Sequence, residues 1–281
     1  EAIPQPPPRQ LRSPRLRPPR PGLEEFARTN VRGQRDPDYV TVTVRTPLGD
    51  LTSAQFRAVA DLAEEFSEER EARTALEQNL LFRFVRRSHL ASLHAALDAQ
   101  GLAQAGAQTI SDVVSCPGAY SCRLAVTQSR GMADALTHAL EGRPEQISIK
   151  ISGCPNGCGQ HYVAGIGLQG SVRKVDGRSV PQYHLYLGGG FGDTQASFGR
   201  LAAKVPARRV PEAVRRLADV YTAEAHPGEG ADAFFARVPV ERISSLLAEL
   251  EVLEHGAAED FIDLGEAKQF EVQTTEGECA A

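Results

Sequence analysis

Tyr39 to Arg45 read Tyr-Val-Thr-Val-Thr-Val-Arg, β-forming residues in alternation, and predict a strand with one buried face. Pro47-Leu-Gly-Asp then turns the chain. Thr52 is placed to cap a helix running to about residue 69, with Phe56, Val59, Ala60, Leu62, Ala63 and Phe66 near one face. Leu80 to Val85 predict a second strand. Ser88 is placed to cap another helix, whose face carries Leu90, Leu93, Ala96 and Leu97 and which Gly101 ends. Strand, helix, strand, helix amounts to one α/β half-domain.

A second unit follows Gly106. Ile110 to Ser115 lead into a segment rich in Cys, Pro and Gly. A helix is expected from about Cys122 to Leu140, stopped by Gly142 and Pro144, with its positive N-terminal end toward the cysteines. Ile147 to Ser152 predict a buried strand. Glycines 165, 167 and 170 are expected to space out short strands, and Asp176-Gly177 marks a hairpin turn into Tyr183-His-Leu-Tyr-Leu187. Gly188-Gly189-Gly190-Phe191-Gly192 lacks the Lys-Ser/Thr of a phosphate loop and the dinucleotide spacing, so it reads as a turn. Helices near 211–225 and 239–254 close the unit.

Composition changes this picture at the two ends. The chain has 281 residues and a formal net charge of −5, unevenly spread. The first 22 residues hold eight prolines and five arginines, and residues 1–24 read as an extended, solvated linker. A basic arm without aromatics or a groove-reading fold argues against nucleic acid. From Glu229 onward there are 13 acidic and 3 basic side chains, and residues 257–281 read as a solvated acidic tail. No apolar run reaches the length of a membrane span, and a cytoplasmic location is expected.

The chemistry lies in four cysteines. Cys116 and Cys122 stand in Cys-Pro-Gly-Ala-Tyr-Ser-Cys, and Cys154 and Cys158 in Gly-Cys-Pro-Asn-Gly-Cys-Gly. Four thiolates complete the ligand set of a [4Fe–4S] cluster, and the crowding glycines let the backbone wrap closely around it. Structural zinc favours tighter pairs than C-x5-C. Disulfides need an oxidising compartment, and no apolar signal segment is seen. Cys279 has no partner at such spacing and reads as a free thiol.

Residues Val113 to Gly170 closely resemble the sirohaem and iron–sulfur region of nitrite and sulfite reductases. The resemblance is carried by Cys116-Pro-Gly-Ala-Tyr-Ser-Cys122-Arg-Leu-Ala, Ile151-Ser-Gly-Cys154-Pro-Asn-Gly-Cys158-Gly and Ile166-Gly-Leu-Gln-Gly170. Upstream, Asp38 to Thr52 and Arg73 to Asn79 resemble the half-domain that precedes the cluster region. The resemblance implies an α/β (α+β) fold of two subdomains with mixed sheets. These are a ferredoxin-like half-domain at 25–105 and a sirohaem/[4Fe–4S] domain at 106–256. It further implies that Cys116, Cys122, Cys154 and Cys158 hold the cluster and that Cys158 also bridges to the sirohaem iron. The implied activity is six-electron reduction of nitrite to ammonia or sulfite to sulfide.

Sirohaem is polyanionic, so it needs cationic and amide donors. Arg73, Gln78 and Asn79, at family-like positions expected on a strand, join Arg123 and Asn156 as candidates. Arg45, Arg83, Arg130 and Lys150 are further cations, each readable as an ordinary surface charge. Asn156 reads equally as a turn residue. His161 could deliver protons, or simply bond a carbonyl; histidines 89, 94 and 184 are expected at element surfaces. Family members are longer and built from two similar halves, and this chain resembles the second. A missing N-terminal half or partner subunit, and a separate donor such as a ferredoxin or flavoprotein, are therefore expected. The alternative is a cluster-only electron-transfer module without sirohaem.

Overall fold

The computed structural model describes residues 14–191, 196–253 and 257–272. The chain divides into two compact units, residues 1–107 and 108–281.

The first unit comprises α1 (Leu23–Asn30), β1 (Val31–Gly33), β2 (Tyr39–Val44), α2 (Ser53–Phe66), β3 (Ala72–Thr74), β4 (Leu80–Arg86) and α3 (Leu90–Asp98). Its strands form an antiparallel sheet in the order β1-β2-β4-β3. Val40, Val42 and Val44 are buried with Phe82, Val85, Val59, Leu62, Phe66, Leu93 and Leu97 in one core. Thr52 caps α2 as expected, and the structure adds Gln55 in a reciprocal box with it. The face of α2 is narrower than its apolar residues suggest, because Phe56 and Ala60 are exposed. Ser88 does not cap α3. A 3-10 turn, Arg87–His89, intervenes and makes His89 the cap position. Gln78 and Asn79 lie in the turn between β3 and β4 rather than on a strand; β3 is too short for its pattern to register. His94 is buried against the Phe26 ring, 5.0 Å between centroids, and is no surface residue.

Residues 14–20 of the expected linker are in neither helix nor strand, but they are not wholly solvated. Arg15 N donates to Glu65 Oε1 at 2.8 Å and Arg17 N to Ser92 Oγ at 2.9 Å. The Arg17 guanidinium stands over the Phe66 ring, so its stem packs as well as its charge. Helix α1 begins where the prolines end.

The second unit comprises β5 (Val114–Ser115), α4 (Ser129–Ala139), β6 (Ile149–Ser152), β7 (Ile166–Val175), β8 (Arg178–Leu187), β9 (Gly190–Phe191), β10 (Ala196–Ser197), β11 (Arg200–Pro206), α5 (Val210–Glu224), α6 (Ala231–Arg237) and α7 (Val240–Glu251). A mixed five-stranded sheet runs β11-β8-β7-β6-β5, parallel from β5 to β7 and antiparallel beyond. Strand β6 is buried at every residue, as an interior parallel strand must be. Strands β9 and β10 pair as a separate ribbon.

Three expectations change here. Helix α4 starts at Ser129, not near Cys122, because Val126 N and Thr127 N are drawn off to Gly153 O at 2.8 and 3.0 Å. Strand β7 is continuous through glycines 167 and 170. At Gly170 a Cβ would meet Thr127 Oγ1 at 2.0 Å, so the glycine permits close approach rather than breaking the strand. The acidic tail is not a solvated face over residues 257–272. Phe261, Phe270, Asp260 and Asp263 are buried, and Asp260 pairs with Arg209 at 2.7 Å. Cys279, Gly192 and residues 1–13 lie outside the described residues.

Candidate metal centre

The first cysteine loop hangs from the end of β5, the second from the end of β6. These strands are parallel neighbours, so their C-terminal ends bring the two loops to the same edge. Cys116 N donates to Ile151 O at 3.0 Å, continuing that pairing into the site. Cys116 Sγ accepts from Gly153 N at 3.2 Å, a direct bond from one loop to the sulfur of the other. Ser129 Oγ donates to Cys116 O at 2.8 Å and lies 3.3 Å from its sulfur.

Between the loops lies a short clamp, residues 126–129. Val126 N and Thr127 N hold Gly153, Gln128 N donates to Asp263 Oδ2 at 2.7 Å, and Ser129 holds Cys116. Asp263 Oδ1 also accepts from Leu264 N at 2.8 Å. A cavity of about 680 Å³ beside this clamp is lined by Tyr120, Cys122, Arg123, Lys268 and Phe270.

Cys154 feels the charge of the other three sulfurs. Burial pushes the Cys154 thiol up, a hydrogen bond from the Asn156 backbone pulls it down, and Cys116, Cys158 and Cys122 each push it up again. Buried thiolates at one place repel, and a multiply charged iron core is what relieves that repulsion. Among the described residues no three His, Cys, Asp or Glu side chains are placed to hold a single ion. A [4Fe–4S] core takes one thiolate at each of four separate irons, so the chemistry of this donor set, four free cysteines on two adjacent loops, suits it. All four cysteines are free, and their exposure is unequal: Cys116 and Cys154 are buried, Cys122 half-buried, Cys158 exposed. Burial also raises Asp263, to about 6, against the pull of the Gln128 and Leu264 amides.

Other candidates scatter. Asn156 is exposed, and its backbone N–H rather than its side chain serves Cys154. Arg123 is exposed at the cavity beside Cys122. Arg130 stacks over Tyr120, and Lys150 bonds Gln160 at 2.9 Å and lies over the Phe191 ring. In the first unit Arg73 pairs with Glu69 at 3.0 Å, and Arg83 shares that carboxylate at 3.7 Å. Asn79 accepts from Thr46 N at 2.9 Å, and Gln78 O accepts from Thr46 Oγ1, so both fix the turn beside Arg45. Arg45 itself is buried and donates to Ala105 O at 2.8 Å. Ser129, Ser152 and Asp263 carried no sequence signal, since each acts through a partner distant along the chain or through the backbone.

His161 is fully buried. Its Nδ1 is 2.8 Å from Ser152 Oγ, which accepts from Gly159 N, and its ring stacks on Tyr162 at 3.9 Å. Burial lowers its pKa from the ordinary 6.5 to about 4, with the Gln169 side chain opposing. The imidazole is therefore neutral at pH 7 and holds Ser152. Between pH 6.5 and 4 the unfolded chain binds a proton that the folded chain refuses. Stability is therefore expected to fall by about 2 kcal/mol from pH 7 to pH 5 on this account. His161→Gln should flatten that part of the pH profile in denaturant titrations. An unchanged slope would show that His161 is not its source.

Residues 32–100 match the nitrite/sulfite reductase ferredoxin-like half domain, and residues 106–254 the nitrite and sulphite reductase 4Fe-4S domain. The chain is 30% identical over 179 residues to a ferredoxin–nitrite reductase of Synechococcus elongatus, covering 63% of this chain and 35% of that protein. It is 31% identical over 192 residues to a ferredoxin sulfite reductase of Mycolicibacterium paratuberculosis, covering 64% and 34%. The chain thus spans about a third of the length of these curated relatives. Among solved structures, the Mycobacterium tuberculosis NirA protein superposes with a TM-score of 0.63 at 25% identity, over 76% of this chain and 41% of that one. Dissimilatory sulfite reductase I gives the same TM-score at 13% identity, over 81% and 74%, a likeness of fold. A half-domain and a cluster domain in the family's order, with the cysteine loops side by side in the second, place the chain: it belongs to the nitrite and sulfite reductase family.

Proposed function

We propose that this chain is the cofactor-bearing, C-terminal half of an oxidoreductase that reduces nitrite to ammonia or sulfite to sulfide. The observation that carries this reading is the unequal exposure of the four thiols. Cys116, Cys122, Cys154 and Cys158 would hold a [4Fe–4S] cluster, and Cys158, the exposed one, would be the ligand available to a neighbouring sirohaem. When bound, the cluster carries single electrons and the haem iron is where a small anion is reduced.

The chain's own residues supply the setting. Gly153 N and the Asn156 amide steady the sulfurs of Cys116 and Cys154 as thiolates, which lowers the cost of burying their charge. Tyr162 and Tyr186 both donate to Gln169 Oε1 at 3.2 Å, forming with His161 a stiff aromatic floor beside Gly157. Neutral His161 orients Ser152 rather than storing a proton. Arg123, exposed beside Cys122, is the cation of this unit assigned to a sirohaem carboxylate; Arg73, Gln78 and Asn79 are family-like candidates of the first unit by themselves. Most of the anion-binding cations come from the other half. Electrons come from a separate donor, a ferredoxin or flavoprotein. Among the described residues no helix is long and apolar enough to cross a membrane, and the reduced thiols suit the cytoplasm.

The test is anaerobic loading of the full chain with iron, sulfide and sirohaem, followed by the same loading of Cys158→Ser. The wild-type chain should take up both centres, and the variant should lose the haem absorption and alter the cluster spectrum. Cluster without any haem in the wild type would make this an electron-transfer module. Unchanged haem and cluster spectra in the variant would remove Cys158 from the bridge. With reduced methyl viologen the loaded chain should turn over nitrite and sulfite poorly until the other half is supplied.

A further inference from the structure

We infer that Asp263 is a positioning residue for the cysteine site: its carboxylate fixes the clamp 126–129, and residues 257–272 thereby act as a strap over the Cys116–Cys122 loop. The inference rests on the reading that the cysteines hold a cluster, and it concerns residues beyond the matched cluster domain, which ends at 254.

Four observations converge. First, Asp263 is 1% exposed, yet its carboxylate makes no ion pair within 4 Å among the described residues. It accepts from two backbone amides, Gln128 N and Leu264 N. A carboxylate buried in this way does the work of a bracket between two chain segments. Second, Arg208 donates to Ile262 O at 2.9 Å and to Asp263 O at 3.3 Å, gripping the strap's backbone while its charge favours the Asp263 carboxylate. Third, the strap is held along its length. Arg209 pairs with Asp260, Arg178 stacks on Phe261 at 3.6 Å, and Phe270 N donates to Phe261 O at 2.7 Å. Gln128 Nε2 adds a side-chain bond to Glu266 at 2.6 Å.

Fourth, the clamp has nothing to spare. Its consecutive groups go to three places: amides 126 and 127 to Gly153, amide 128 to Asp263, and the side chain of 129 to Cys116. Gly153 in turn donates to the Cys116 sulfur. Releasing amide 128 frees the middle of this run. Both the Ser129 contact and the Gly153 amide that meets the sulfur then lose their fixed geometry. Hydrogen bonds to ligand sulfur set a cluster's potential, so Asp263 acts on the cluster without touching it.

The experiment uses the full chain with its cluster assembled, in wild type, Asp263→Ala, Ser129→Ala and the double variant. The readouts are the cluster's midpoint potential and its rate of bleaching in air. Asp263→Ala should shift the potential in the same direction as Ser129→Ala, and the double variant should shift it no further than the larger single change. Bleaching should accelerate in each. Two shifts that add would show that Asp263 does not act through the clamp, and an unshifted potential would overturn the inference. If Asp263→Ala does not fold, Glu266→Ala, which loosens Gln128 from a half-exposed position, takes its place in the same comparison. A wild-type chain that assembles no cluster would sink the cluster reading itself, and this inference with it. A wild-type cluster indifferent to both strap variants would sink this inference alone.

Discussion

Serine at Cys154 is expected to take the chain from about four irons to background after anaerobic reconstitution. Cys154 is 8% exposed, and its thiol is already held up by burial and by the three other sulfurs. It becomes a thiolate there because iron takes the proton's place. A serine hydroxyl in the same position ionises far less readily and binds iron weakly. The change is nearly isosteric, so circular dichroism should match the wild type while iron, labile sulfide and visible absorption disappear. Cys279→Ser is expected to leave all three unchanged. Full iron content in Cys154→Ser would remove this residue from the ligand set.

Alanine at Gly159 is expected to destroy the same site with all four cysteines in place. A Cβ there would meet Ile151 O at 1.9 Å and Ile151 C at 2.6 Å, both backbone atoms of the fully buried strand β6. Ile151 O is also the acceptor for Cys116 N. The methyl group can be housed only by moving β6 or the second cysteine loop, and either motion parts the two cysteine pairs. Such overpacking against backbone costs about 3 kcal/mol or more. Gly177→Ala is the reference. That glycine has φ +75° in the β7–β8 turn with nothing within 4 Å, so alanine there should cost about 1 kcal/mol in backbone strain alone. Urea unfolding of both variants measures the difference. Equal costs, or a Gly159→Ala chain that takes up its full iron, would contradict the geometry.

What was legible in the chain was local. Tyr39 to Val44 announce β2 by alternation, Thr52 stands where α2 takes its cap, and Asp176-Gly177 names its own turn. The cysteine pairs are legible for the same reason, since each pair is one loop. What stayed hidden depends on partners far along the chain. The start of α4 is set by Gly153 taking two amides that helix propensity alone would have spent inside the helix. The glycines of β7 look like breakers until Thr127 is seen against Gly170. Helix α6 and the short strands β1 and β3 are too brief for a period to show. Asp260 and Asp263 sit in a run of acids in which nothing distinguishes the two that are buried from those that face water.

The bond between Gln128 and Asp263 joins residues 135 positions apart. During synthesis the cysteine loops are therefore finished long before their cover exists. From Cys158, which completes the second loop, to Asp263 the chain grows by 105 residues, roughly 5 to 21 s at ordinary ribosomal speeds. For that time the Cys116–Cys122 loop stands uncovered on the nascent chain. The strap is thus the last piece of the site to be made, a cover added to a lining already complete.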